Sequence, residues 1–295
     1  MSPDALRVGY VGLGTMGAAM AERLVVPTNI LTVFDLRPAA VDRLVQAGAL
    51  GGQSVAAVGS AAEVVFVNVV DDGQVVDVVE GSHSAPGLLG PLCRGSVIVI
   101  QSTVHPATCR RLAVSAAARG VALVDAPFTG GAAAAARGTL ALLVGGEPSD
   151  VARCEPALSR LGTIHHVGPV GSGQAAKLAN NLVIAITMTA VHESLSLAEA
   201  EGIDETTMLG LLTAGAADNW VVRNWDAITS MAHSYPEGAV GLANLTRKDV
   251  KAALAVADEH GIELPTTQMS LRSLAAAYQR TAANNTSGQP SREPV

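Results

Sequence analysis

Val8-Gly9-Tyr10-Val11-Gly12-Leu13-Gly14-Thr15-Met16-Gly17 decides the fold. A short apolar run passes directly into a glycine-punctuated turn and then into Ala18–Val25, which reads as a helix. In a strand–turn–helix setting each glycine of a GxGxxG spacing has its own task. Gly12 permits the tight turn, Gly14 lets a pyrophosphate approach the backbone, and Gly17 lets helix and strand pack closely. The N–H groups of the helix's first turn then face the phosphates. Gly12, Leu13, Gly14, Thr15, Met16 and Gly17 are therefore candidate cofactor contacts. A plain glycine turn between strand and helix is the competing reading.

The next apolar run ends at Asp35, where a carboxylate can accept hydrogen bonds from ribose hydroxyls and repel a 2′-phosphate. That points to NAD, while Arg37 could accommodate the phosphate and keeps NADP open. Asp35 could equally be a turn residue before Pro38.

Valine- and isoleucine-rich runs continue at Val64–Val69, Val97–Gln101, Ala122–Ala126, Leu140–Val144 and Ile164–Val167, after Arg7–Val11 and Ile30–Asp35. Alanine-rich amphipathic stretches separate them, which predicts βαβ units around a parallel sheet. Beyond Gly173 the apolar residues take helical spacing, and one long helix is expected from Gln174 to about Ala200, capped by Gly202. The fold class is thus α/β: a doubly wound parallel sheet of Rossmann type over 1–167, an all-α domain over 168–280, and a disordered tail over 281–295. A helix so apolar needs cover from its own domain, a second subunit or both, so a homodimer or homotetramer is expected.

With 295 residues, 49% of them hydrophobic, the chain can bury a large core. Its net charge of -7 and its lack of basic runs argue against nucleic acid or an anionic membrane as partner. The first apolar stretch is too short for a signal peptide or membrane span, and Cys93, Cys109 and Cys154 are odd in number and far apart. Both features suit a reducing cytoplasm, and no His or Cys spacing suggests a metal.

The second informative stretch is Gly171-Ser172-Gly173-Gln174-Ala175-Ala176-Lys177-Leu178-Ala179-Asn180-Asn181. Lys177 is a lone cation among Ala and Leu, and a lysine whose pKa is lowered by an apolar setting can exchange protons near neutrality. Asn180 and Asn181 follow at i+3 and i+4 on the same helical face, where an amide can bind a substrate hydroxyl. The same spacing also fits a lysine snorkelling to a surface beside solvating asparagines.

Four blocks in order, Gly12–Gly17, Asp125-Ala126-Pro127-Phe128-Thr129-Gly130-Gly131, Gly171–Asn181 and Lys248-Asp249, resemble the β-hydroxyacid dehydrogenases, the group of 3-hydroxyisobutyrate dehydrogenase and 6-phosphogluconate dehydrogenase. The resemblance spans residues 7 to about 275. It implies that Lys177 is the catalytic acid/base and Asn181 orients the substrate, while Thr129, Gly130 and Gly131 bind its carboxylate, a task a Gly-Gly anion nest can perform. It further implies that Ser102 and Thr103 lie beside the nicotinamide, where Ser102 helps orient the substrate, that Val70 and Asp71 lie near the cofactor's ribose, and that Lys248 reaches cofactor or substrate while Asp249 fixes its helix. Thr129 and Phe128 depart from the family's serine and smaller aliphatic, so the substrate could differ in size from 3-hydroxyisobutyrate.

The implied reaction is a metal-free, reversible hydride transfer between NAD, or NADP, and a small 3-hydroxy acid or its semialdehyde. Asn219, Trp220, Arg223 and Trp225 either line the distal substrate pocket or pack in a core or dimer contact. An imine reductase-like enzyme on the same fold is a rival that Lys177 and Asp35 argue against; a non-catalytic cofactor-binding protein is another.

Overall fold

The computed structural model describes residues 5–235 and 237–283. Through the sheet-forming part the order is β1 (Leu6–Val11), α1 (Thr15–Arg23), β2 (Asn29–Phe34), α2 (Pro38–Gln46), β3 (Leu50–Gly51), α3 (Val55–Ala61), β4 (Val64–Val67), α4 (Asp72–Glu80), β5 (Val97–Ile100), α5 (Pro106–Ala117), β6 (Ala122–Asp125), β7 (Phe128–Thr129), α6 (Gly131–Arg137), β8 (Leu140–Gly145), α7 (Pro148–Leu158) and β9 (Gly162–Gly168). Helices follow: α8 (Ser172–Ala200), α9 (Glu205–Ala214), α10 (Trp220–Arg223), α11 (Trp225–Ser234), α12 (Gly238–Glu259) and α13 (Pro265–Ala283). Two compact units result, Met1–Lys177 and Leu178–Val295, and they divide inside α8 rather than at 167/168. Of the expected tail, 281–283 continue α13 and 284–295 lie outside the described residues.

The sheet runs β3-β2-β1-β4-β5-β6-β8-β7, with β9 paired to β8. Strands β1 to β6 pair in parallel, as the βαβ pattern requires. Every valine-rich run of the sequence is a strand, and both faces are covered. In β4, Val64 and Phe66 enter one hydrophobic core while Val65 and Val67 enter the other; in β5, Val97 and Val99 part from Ile98 and Ile100 in the same way. Residues buried on both faces must be apolar at every position, which is why these strands read as continuous runs rather than alternations. Each such side chain contributes roughly 1.5–3 kcal/mol by leaving water.

The parallel sheet carries an antiparallel end that the sequence reading did not include. β8 runs antiparallel to β6, through Asp125 and Gly145, and antiparallel to β7, before β9 restores a parallel pair. The reason is local: Pro127 and the Gly130-Gly131 turn send the chain back beside β8 through the short α6 instead of through a full crossover helix. β3 and β7 hold two residues each and present no period from which a sequence could reveal them.

In the second unit, Ala185, Met188, Val191 and Leu195 of α8 join Val221, Val222, Trp225, Ile228, Leu242, Val250, Leu274 and Tyr278 in one core. α8 ends as its glycine predicts. Gly202 takes φ +80°, its N–H reaches the Glu199 carbonyl at 3.0 Å, and the Ile203 N–H reaches Ala198 at 2.9 Å, a Schellman closure.

Candidate active site

The glycine turn divides its three tasks as the physics demands. At Gly12, φ is +95° and a Cβ would collide with the Asn68 carbonyl; at Gly17 a Cβ would collide with the Gly12 carbonyl. A Cβ on Gly14 would meet nothing within 4 Å. Two glycines are therefore needed for packing, and the third keeps open space above the turn. Helix α1 begins there with no side-chain cap on its first N–H groups, those of Thr15, Met16 and Gly17. Uncapped donors under an open glycine face fit a pyrophosphate.

Asp35, just beyond β2, closes this turn from the side. Its Oδ2 accepts the Leu13 N–H at 2.7 Å, and its Oδ1 accepts the Arg37 N–H at 2.9 Å and Nε–H at 3.0 Å. Arg37 Nη2 also donates to the Leu13 carbonyl at 3.0 Å. Burial presses the Asp35 carboxyl upward, yet the Arg37 guanidinium and the two backbone donors hold it below the usual carboxylate range. The carboxylate therefore stays charged beside the glycine turn, paired with the exposed Arg37 side chain.

Further along the carboxyl edge of the sheet, loops brace one another. The Ser102 hydroxyl is buried and accepts the Val69 N–H at 2.7 Å, joining the ends of β4 and β5. Val70 is 59% exposed and its N–H bonds Gln74 Oε1, while Asp71 caps α4 by accepting the Gln74 N–H at 2.9 Å. Asp72 accepts the His105 N–H at 2.9 Å and the Thr108 hydroxyl at 2.6 Å. Asp71 thus serves its own helix and Ser102 its neighbouring strand. Thr103, next to Ser102, is half-buried.

Asp125, at the end of β6, holds the start of α8. Its Oδ1 accepts the Gly171 N–H at 2.7 Å and its Oδ2 the Gln174 N–H at 2.8 Å. Burial raises the carboxyl to about 6, with those backbone donors pulling the other way. After Phe128 and Thr129, Gly130 and Gly131 take φ +129° and +77°, so the chain turns sharply into α6, whose first N–H groups carry no side-chain cap. Such a turn presents backbone donors to an anion.

Lys177 lies on α8, half-buried, with Asn180 and Asn181 one turn further along the same helix. Within the helical unit Asn181 is not left to solvate a surface. Its Nδ2 donates to Asp249 Oδ2 at 2.7 Å and its Oδ1 accepts from Asn180 Nδ2 at 3.0 Å. The other oxygen of Asp249, a buried residue, lies 3.0 Å from Lys248 Nζ. Asp249 therefore fixes Asn181 and Lys248 together from α12.

In the Trp-rich segment, Trp225 goes to packing. Trp225 is buried in the helical core with its Nε1–H on Glu205 Oε1 at 3.0 Å, Asn219 caps α10, and Arg223 pairs with Asp218 at 2.7 Å. These contacts all lie within the helical unit, and for Trp225 they match the packing alternative; Trp220 is 44% exposed. Conversely, sequence spacing alone assigns no task to Asn68, beneath the glycine turn, or to Gln174. The available signal was a polar residue directly after a buried strand for the first, and a lone amide inside the Lys177 motif for the second.

The signature of the NAD binding domain of 6-phosphogluconate dehydrogenase matches residues 7–171, and that of the NAD-binding region of NADP-dependent 3-hydroxyisobutyrate dehydrogenase matches 171–289. The 3-hydroxyisobutyrate dehydrogenase of Pseudomonas aeruginosa is 35% identical over 253 residues, 84% of each chain. The chain belongs to the β-hydroxyacid dehydrogenase family. The NAD-dependent L-serine dehydrogenase of Pseudomonas aeruginosa is 33% identical to it over 271 residues, 90% of each chain. The solved 3-hydroxyisobutyrate dehydrogenase of Salmonella typhimurium covers 93% of this chain and 95% of its own at a TM-score of 0.82 and 24% identity, so it attests the fold. An imine reductase variant from Myxococcus stipitatus shares that fold more distantly, at a TM-score of 0.64 and 20% identity over 95% of each chain. The chain is an NAD(P)-dependent oxidoreductase of this family, and the dehydrogenase relatives fit it better than the imine reductases do.

Proposed function

We propose that this enzyme oxidises a small 3-hydroxy acid with NAD, or reduces the corresponding semialdehyde, and that Lys177 moves the proton. The observation that carries the reading is the fixed Asn181: an amide locked by buried Asp249, one helical turn beyond Lys177, is a prepared oxygen-binding group. When bound, the nicotinamide cofactor supplies the hydride acceptor. The chain's own residues do the rest. Lys177 Nζ takes the carbinol O–H proton as the C–H bond gives up its hydride and the C=O bond forms; in reverse it returns that proton to the oxygen. Asn181, with Asn180 behind it, holds the same oxygen, and Lys248, held by Asp249, is offered to cofactor or substrate. Thr129, Gly130 and Gly131 clamp the carboxylate. Gly12 to Gly17 hold the pyrophosphate and Asp35 the ribose; Val70, Asp71, Thr103 and Ser102 shape the floor beneath cofactor and substrate.

NAD is favoured because Asp35 keeps its charge and Arg37 is spent on it. Self-association as a dimer or tetramer is supported by the unburied apolar surface of α8 and α9. α8 is long and apolar enough to cross a membrane by length and composition, with 33% of its most apolar window buried, and no residue of α9 is buried. A second copy of the chain is the cover we favour, in a cytoplasmic setting consistent with the free Cys93, Cys109 and Cys154. A panel of 3-hydroxy acids and their semialdehydes, assayed with NAD and with NADP by absorbance of the reduced cofactor, tests the reading. Turnover of a 3-hydroxy acid preferring NAD is expected; turnover of imines alone, or of nothing, would overturn it.

A further inference from the structure

Gln174 makes more directed hydrogen bonds than any structural duty of a helix's first turn requires. It is fully buried. Its Oε1 accepts the Val104 N–H at 3.0 Å and its Nε2 donates to the Ser102 carbonyl at 2.9 Å, while its backbone N–H reaches Asp125. One side-chain amide thus grips the peptide groups on both sides of Thr103, as a neighbouring strand would. From the other side the same loop is held by Ser102 Oγ on the Val69 N–H. Lys177 stands at i+3 from Gln174, so both leave the helix on one face.

We propose that Gln174 is a positioning residue for the reaction described above: its amide sets the Ser102–Val104 loop against the helical turn that carries Lys177. The inference rests on that functional reading. An amide is the one uncharged side chain of this length offering both a donor and an acceptor in a plane. Removing it leaves a buried carbonyl and a buried N–H unpaired and frees the loop beside the Lys177 turn. A displacement near 1 Å at a reacting geometry can lower turnover by about a hundredfold.

The test uses the full chain with Gln174→Met, which keeps the length without either hydrogen bond, and Gln174→Glu. Fully buried where the Gln174 amide lies, the introduced carboxyl of the latter is expected to keep its proton at neutral pH, because burial disfavours the charged form, and then to offer one donor and one acceptor. We expect Gln174→Met to lower kcat by roughly ten- to a hundredfold, to leave NADH affinity, read by fluorescence, within a few-fold of wild type, and to speed hydrogen exchange at the Val104 amide. Gln174→Glu should retain activity near neutrality and lose it as pH rises and the carboxyl ionises. Wild-type kcat in Gln174→Met, or a Val104 amide that stays protected, would overturn the proposal. An inactive wild type would instead defeat the functional reading, and the exchange data would still decide whether Gln174 holds the loop.

Discussion

At the scale of single residues, Asp35 shapes the glycine turn, and we propose that the same carboxylate selects the cofactor. It holds the Leu13 N–H at 2.7 Å and the Arg37 guanidinium at 3.0 Å, and it remains ionised. Arg37, the one feature of the sequence that kept NADP open, is paired with that carboxylate while its side chain stays 64% exposed. Asp35→Ser removes the repulsion and releases Arg37. The ratio of kcat/KM for NADP to that for NAD should then rise on the order of tenfold, the scale of one charge contact near a protein surface, and steady-state kinetics with both cofactors checks it. An unchanged ratio would place cofactor selection elsewhere. The glycine turn and Asp35 were legible in the sequence because strand, turn and carboxylate are contiguous. Asp249 beneath Asn181 was not, because that bond joins positions 68 residues apart and only the folded helices bring them together.

Among the elements, the anchoring of α8 by Asp125 carries a pH signature. The carboxyl is raised in the folded state to about 6 from an ordinary value of 3.8. A carboxyl raised on folding binds its proton more tightly in the native state, so its contribution is fully present below about pH 3.8 and is lost as pH rises through about 6. Relative to Asp125→Asn, which does not titrate, wild type should lose on the order of 3 kcal/mol between pH 4 and pH 7. Urea unfolding of both proteins across that range measures it, and a difference independent of pH would refute it. The strands of the parallel half were readable because burial on both faces makes each one a solid apolar run. The antiparallel turn at β7 and β8 was hidden because two-residue strands carry no period, and Trp225 went to the helical core because a large buried ring releases more free energy there than on a rim.

For the whole molecule, the apolar residues left open to solvent are the ground for the proposed self-association. Leu197 is 71% exposed on α8 and Leu211 57% exposed on α9, within helices whose composition suits an interior. Light scattering should give the mass of two or four chains, and Leu197→Lys combined with Leu211→Lys should shift it toward one; a wild-type monomer would contradict the association. The broad division into a sheet-forming half and a helical half was plain from the change of period near Gly173, whereas the split inside α8 was not, because an unbroken helix has no sequence mark at Lys177. Catalysis by that lysine remains the central claim. Lys177→Ala should lower kcat by about a hundred- to ten-thousandfold, the usual worth of a general acid/base, while NADH binds as in wild type. Turnover within a few-fold of wild type in Lys177→Ala would contradict it directly.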